Sequence, residues 1–139
     1  MDVQTIKYGV KIGDLYYEYI NADGIRTIFY EVVAFKGNTQ IILKQINSEI
    51  IGMDSIFRLI QKPLCGDYVK INGDKEIEIV RSISRNSISL KGNYDTSLTK
   101  VTDNREFYMT TNHPEESKYY EEVINKYWKD RALDDLLFH

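Results

Sequence analysis

The sequence predicts an α+β fold, an antiparallel β-meander followed by a C-terminal amphipathic helix, and three observations carry that prediction. Segments of alternating apolar and polar residues are separated by short turns of Gly, Asn and Asp. Two stretches echo each other, GDLYYEYINADGIRTIFYEVV at 13–33 and GDYVKINGDKEIEIV at 66–80. From Asn112 onward the apolar spacing changes from two to three and four, the period of a helix.

Taken in order, VQTIKYGVKI (3–12) reads as a first strand, closed by a Gly13-Asp14 turn. LYYEYI (15–20) is an aromatic strand. Asn21-Ala22-Asp23-Gly24 supplies the positive φ of a tight hairpin. IRTIFYEVVAF (25–35) is a long strand with Ile28, Tyr30 and Val32 on one face and Phe29, Glu31 and Val33 on the other. After Lys36-Gly37-Asn38-Thr39, QIILKQI (40–46) returns. Residues 47–64 read as a connector containing a short helical or extended piece, with a strand as the alternative: Ile56, Leu59 and Ile60 have helical spacing, Asp54 or Ser55 stands where a cap would, and Pro63 would stop the turn.

The meander then resumes. DYVKI (67–71), an Asn72-Gly73 hairpin and KEIEIVRSI (75–83) follow, with Glu76 and Glu78 on the solvent face. Ser84-Arg85-Asn86 turns, and SISLKG (87–92), NYDTSLTKV (93–101) and REFYMTT (105–111) supply further strands. In the last segment Asn112 is placed as an N-cap, with Pro114 and the acidic Glu115 and Glu116 in the first turn. Tyr120, Val123, Ile124 and Tyr127 form the apolar face, Trp128 borders it, and a second helical piece at 131–138 presents Leu133, Leu136 and Leu137.

The echo has two readings. Val33, Ile41 and Leu43 each lie 47 residues before Val80, Ile88 and Leu90, which fits two related β units with a longer first hairpin in copy one. Alternatively, any two hairpin-rich segments share such grammar. The order Gly-Asp, strand, turn, strand, turn, strand resembles small SH3-like barrels. The expected organisation is one compact domain, 1–139, with sub-units at 1–46, 65–111 and 112–138.

Composition narrows the function classes. Of 139 residues, 42% are hydrophobic and 28% charged, the balance of a folded chain rather than a disordered one. The net charge of −3 is unevenly placed. Residues 1–102 hold 13 basic and 12 acidic side chains, whereas 103–139 hold 5 and 9. A generic duplex-binding domain would carry a basic surplus instead. The single cysteine, Cys65, offers no disulfide framework, the N-terminus lacks a signal pattern, and no apolar run approaches the ~20 residues of a membrane span. The expectation is a cytoplasmic protein with no membrane partner.

Catalytic patterns do not emerge. His113 and His139 have no nucleophile motif beside them, and one Cys with two His falls short of a zinc site. The sequence therefore assigns no catalytic residue, metal or cofactor, and predicts a non-enzyme. The excess of 11 tyrosines points elsewhere. Tyr16, Tyr17, Tyr19 and Tyr30 form an aromatic cluster, part of it packing the core and part available for an interface or for base stacking. Lys36, Lys44, Arg81 and Arg85 are candidates to contact phosphates at turn ends. Glu115, Glu116, Glu121 and Glu122 form an acidic surface.

KIGDLYYEY, IFYEVVAFKGNTQIIL and FYMTTNHP resemble short uncharacterised proteins of phages and mobile elements in low-GC Gram-positive bacteria. Gly13, Asp14, Phe29, Tyr30, Val32, Val33 and Gly37 match their pattern over residues 11–46, with a looser match at 105–111; the family's tryptophan and its basic residue after the turn are not reproduced. The resemblance implies a viral or mobile-element origin and supplies no catalytic residues. Together these readings predict stoichiometric binding to a host protein or ribonucleoprotein, for example inhibition of a CRISPR nuclease or another defence system. The acidic helix would imitate phosphates. The alternative is a nucleic-acid-binding module on an SH3-like barrel.

Overall fold

The computed structural model describes residues 6–7, 9–21, 24–83, 90–94, 96–102 and 105–129. The chain opens with a small hairpin, β1 (Ile6–Lys7) against β2 (Val10–Lys11), where a single longer strand was expected. The meander follows as β3 (Leu15–Asn21), β4 (Ile25–Lys36) and β5 (Gln40–Met53), antiparallel throughout. After a turn come β6 (Leu59–Tyr68), the hairpin β7 (Lys70–Ile71) and β8 (Lys75–Glu76), then β9 (Glu78–Ser82), β10 (Thr99–Lys100) and β11 (Phe107–Met109). The Asn-Gly signal is realised between β7 and β8, where Asn72 and Gly73 take φ of 49° and 91°.

Among the described residues one seven-stranded sheet has the order β10-β3-β4-β5-β6-β11, with β9 also on β5. It curls into a half-barrel, and a short C-terminal helix makes the fold α+β. Among the described residues, the segment expected as a second meander pairs strand to strand with itself in the β7–β8 hairpin and in a bridge between Lys91 and Ser97. Its other strands extend the first sheet: β9 on β5, β10 on β3 and β11 on β6. Ile88, on which part of the echo rests, lies outside the described residues.

At 47–64 the expected connector gives way to the alternative, strand. β5 runs on to Met53 and β6 starts at Leu59, so the piece is a long hairpin bent by register shifts after Ile46 and Ile50. Asp54 does cap, but it caps the hairpin turn. Its Oδ1 accepts from Ile56 N and Arg58 N at 3.1 and 2.8 Å. Pro63 sits within β6 opposite Ser48, at the first shift, where a missing N–H is tolerated. Phe57, at the tip, holds φ at 64°, which costs about 1–2 kcal/mol for a residue with a side chain. Its ring stacks on Trp128 at 5.9 Å and lies 5.5 Å from Tyr120, so packing against the helix offsets the strain.

The helix is also corrected. Pro114–Glu116 form a 3-10 turn with His113, not Asn112, at its N-cap and no side-chain capping bond. Tyr120–Val123 form one α turn, and Ile124–Trp128 widen to a π turn. With i+5 pairing, Trp128 comes round to the face of buried Val123, and Tyr127 rotates outward to 44% exposure. Trp128 Nε1 donates to the Ser55 carbonyl at 2.8 Å, fixing the helix to the hairpin turn. The second helical piece, 131–138, lies outside the described residues.

Both faces of the β3–β4 pair are buried. On one face Tyr16 and Tyr30, directly paired, join Val10, Ile28, Val32, Ile41, Leu43 and Ile79. On the other, Tyr17 and Phe29, also paired, join Ile46 and Phe107. Burial, and then the Asp14 charge, push the Tyr16 hydroxyl up to about 12. In the unfolded chain a tyrosine ionises near about 10, so protonated Tyr16 contributes its full stability below that pH. The contribution is lost as pH rises from there through the folded value. Denaturant midpoints followed through that window should fall, and Tyr16→Phe should remove part of the slope. An unchanged slope would mean that Tyr16 ionises as in the unfolded chain.

Candidate interaction site

The four tyrosines singled out by sequence separate in the fold. Tyr16, Tyr17 and Tyr30 are 4%, 4% and 0% exposed and belong to the two cores, so the expected surface cluster reduces to Tyr19, 37% exposed. The reason is that both sheet faces are covered, where the sequence reading left one face open. Tyr19 shares a face with Tyr17, and their rings meet edge-on at 5.4 Å.

Tyr19 lines a groove of about 390 Å³ with Ile20, Asn21, Ile25, Arg58, Tyr108 and Thr110. Three distant segments build it. The β3–β4 hairpin contributes Tyr19 and Ile25. Thr110, just after β11, is held to that hairpin by bonds in both directions: Ile25 N donates to Thr110 Oγ1, and Thr110 N donates to the Ile25 carbonyl, each at 2.9 Å. A side chain at residue 24 would place its Cβ 2.3 Å from Thr110 Oγ1, so glycine permits this approach. The β5–β6 turn contributes Arg58, whose Nε lies 2.7 Å from Asp54 Oδ2 and whose guanidinium carbon lies 4.0 Å from the centre of the Tyr108 ring. Arg58 is therefore held flat, its charge matched by Asp54 and its plane stacked on an aromatic ring.

Beneath the groove, the buried side chain of Gln61 bridges the gap where β4 and β5 diverge. Its Oε1 accepts from Thr27 N at 3.1 Å, and its Nε2 donates to the Thr27 carbonyl and Ser48 Oγ at 3.2 and 3.0 Å. Thr27 Oγ1 donates to the Tyr108 carbonyl at 3.0 Å, tying β4 to β11. The Tyr108 hydroxyl donates to Glu106 at 2.6 Å, and that bond holds its pKa above the ordinary tyrosine value. Among the described residues no His, Cys or carboxylate lines the groove, and the chemistry they offer is apolar contact, aromatic stacking and one positioned guanidinium.

Glu115, Glu116, Glu121 and Glu122 are all exposed. The Glu115 carboxyl is held below its usual range by its own backbone N–H and then by His113, 3.3 Å away. The basic candidates do not gather. Lys44 pairs with Glu76 at 3.0 Å, and Arg81 donates to the Lys91 and Gly92 carbonyls at 2.6 and 3.2 Å. Lys36 is exposed, and Arg85 lies outside the described residues. Arg58, Tyr108 and Ile25 were not singled out from sequence. The Phe-Tyr-Met alternation and the Asp54–Arg58 spacing were visible, but nothing local joins segments so far apart in the chain.

Among the described residues no three His, Cys, Asp or Glu side chains gather into a metal-ligand group. No helix among them is long and apolar enough to cross a membrane, which leaves strands out of account. Comparison of the chain with protein-family models, curated proteins and solved structures finds no match.

Proposed function

We propose that this protein acts by stoichiometric binding to a macromolecular partner, with the groove of Tyr19, Ile25, Arg58 and Tyr108 as its principal contact surface. The observation that carries the reading is the fixed Arg58–Tyr108 stack beside two exposed apolar side chains. Tyrosine and arginine held rigid in a shallow groove are the side chains that dominate protein-interface energetics, because little rotamer entropy remains to be lost on binding. The resemblance to phage and mobile-element proteins supports a host protein or ribonucleoprotein as the partner, and a CRISPR nuclease or other defence enzyme as one such target. The exposed Glu115, Glu116, Glu121 and Glu122 are suited to a basic surface on it.

A second reading is a nucleic-acid-binding module on an SH3-like barrel. Two arginines without carboxylate partners among the described residues, Arg26 and Arg105, favour it, as does the Tyr19–Tyr108 pair available for stacking. Salt separates the two: oligonucleotide binding would weaken steeply with ionic strength.

The experiment is affinity capture from host lysate with wild-type, Tyr19→Ser and Ile71→Ser baits. Ile71, exposed in the β7–β8 hairpin, does not line the groove. A partner should be held by wild type and Ile71→Ser and lose affinity roughly 30-fold with Tyr19→Ser, the scale of an interface hot spot. Equal capture by all three baits, or capture by none, would overturn the groove reading.

A further inference from the structure

Strand β3 continues past β10, which pairs only with Tyr16 and Tyr17. The direction of its remaining backbone groups follows from the ladder. Val32 N donates to the Asp14 carbonyl at 2.9 Å, so from that carbonyl onward Tyr16, Glu18 and Ile20 turn N–H and C=O toward β4. Leu15, Tyr17, Tyr19 and Asn21 turn theirs to the opposite edge. Leu15 obeys this, its carbonyl accepting from Val101 N at 2.8 Å. Across the hairpin Ile25 obeys it as well, exchanging bonds with Thr110 rather than with β3. Beyond β10, nothing among the described residues pairs with the backbone of Tyr19 or Asn21.

Two N–H and two C=O groups thus stand in a row on an open edge, the arrangement that templates an added strand. The groove begins at the same two residues. Arg26, opposite Ile20, and Arg105, 5.0 Å above the Tyr17 ring, flank the edge, and neither has a carboxylate partner among the described residues. We propose that this edge takes an extended acidic segment of a partner protein as an added strand beside β3, with alternate apolar side chains of that segment lying in the groove. The inference rests on the groove reading above and adds the backbone pairing and the charge of the partner.

Amide NMR of the full chain tests it with three synthetic peptides: one alternating glutamate with valine, its lysine-for-glutamate counterpart, and the glutamate peptide N-methylated along one edge. The glutamate peptide should shift the Tyr19 and Asn21 amides saturably and slow their hydrogen exchange by on the order of tenfold. The lysine peptide should bind at least roughly tenfold more weakly, and the N-methylated peptide should leave exchange unchanged. Asn21→Pro, which deletes an outward N–H that β4 does not use, should abolish the effect, whereas Asn21→Ala should retain it. Peptide binding that leaves exchange at Tyr19 and Asn21 unaltered, equal binding of the lysine peptide, or no saturable shift would each overturn the strand addition. Lysate capture that depends on Tyr19 would survive all three outcomes, so failure here is distinguishable from failure of the groove itself.

Discussion

Glu18→Ala is expected to lower stability by about 3 kcal/mol, read as a fall in the urea midpoint at unchanged slope. Glu18 is 1% exposed, in the middle of β3 on the Tyr16–Tyr30 face. Its carboxylate accepts from the Tyr30 hydroxyl at 2.5 Å, from Thr96 Oγ1 at 2.6 Å and from Tyr94 N at 3.3 Å. Asn93 N donates to the same Tyr30 oxygen at 3.1 Å. A buried carboxylate is tolerable only because each of these donors points at it. Removing it takes the acceptor from the hydroxyl of Tyr30, a fully buried residue, and that loss is the larger part of the cost. It also unties residues 93–96 from the sheet. Gly92 lies against the same group: a Cβ there would come within 1.6 Å of Glu18 Oε2, so Gly92→Ala must displace the carboxylate and should destabilise by the same route. Glu18→Gln keeps the volume but turns an NH2 toward a donor, and should cost about half as much. A midpoint in Glu18→Ala within about 0.5 kcal/mol of wild type would show that the contact adds nothing net.

This latch also marks where the sequence stops being informative. The β3–β4–β5 meander, its alternation and the Asn-Gly hairpin were legible because each depends on residues adjacent in the chain. Glu18, a polar residue in an aromatic strand, meets Thr96 at a separation of 78 residues. No local pattern reports that encounter. The same limit explains the connector. Asp54 and the spacing of Ile56, Leu59 and Ile60 satisfy a helix start and a hairpin turn equally well, and pairing along the whole of β5 decides for the hairpin. The tyrosines meet a different limit: alternation sorts residues by face, but whether a face is covered depends on β11, which arrives from residues 107–109. The exposed Tyr19 was within the candidate set, whereas Arg58 and Tyr108, which complete its groove, come from segments that only folding brings together.

Phe107→Ala should be the most damaging single change, with an expected loss of about 3–5 kcal/mol. Phe107 is 2% exposed and meets Tyr17 at 4.8 Å and Phe29 at 4.9 Å, both edge-to-face. It is the only buried apolar residue that β11 brings to this core. Each aromatic pair adds about 0.5–1.5 kcal/mol beyond area burial, so a double-mutant cycle between Phe107→Leu and Tyr17→Leu should return a coupling of that size. The consequence extends to the groove. Tyr108 and Thr110 follow Phe107 directly, and β11 is held to β4 by the Thr27–Tyr108 and Ile25–Thr110 bonds. With the anchor gone, those bonds and the ladder to β6 must hold the strand without its packing against the core. Hydrogen exchange at Tyr108 and Thr110 should then rise before that of Leu43 and Ile79, which lie in the other core. Partner capture should weaken even at temperatures where Phe107→Ala remains folded, although Phe107 does not line the groove. If exchange instead rises uniformly and the folded variant captures as wild type does, the groove does not depend on how β11 is anchored, and its rigidity must come from the Arg58–Asp54 turn alone.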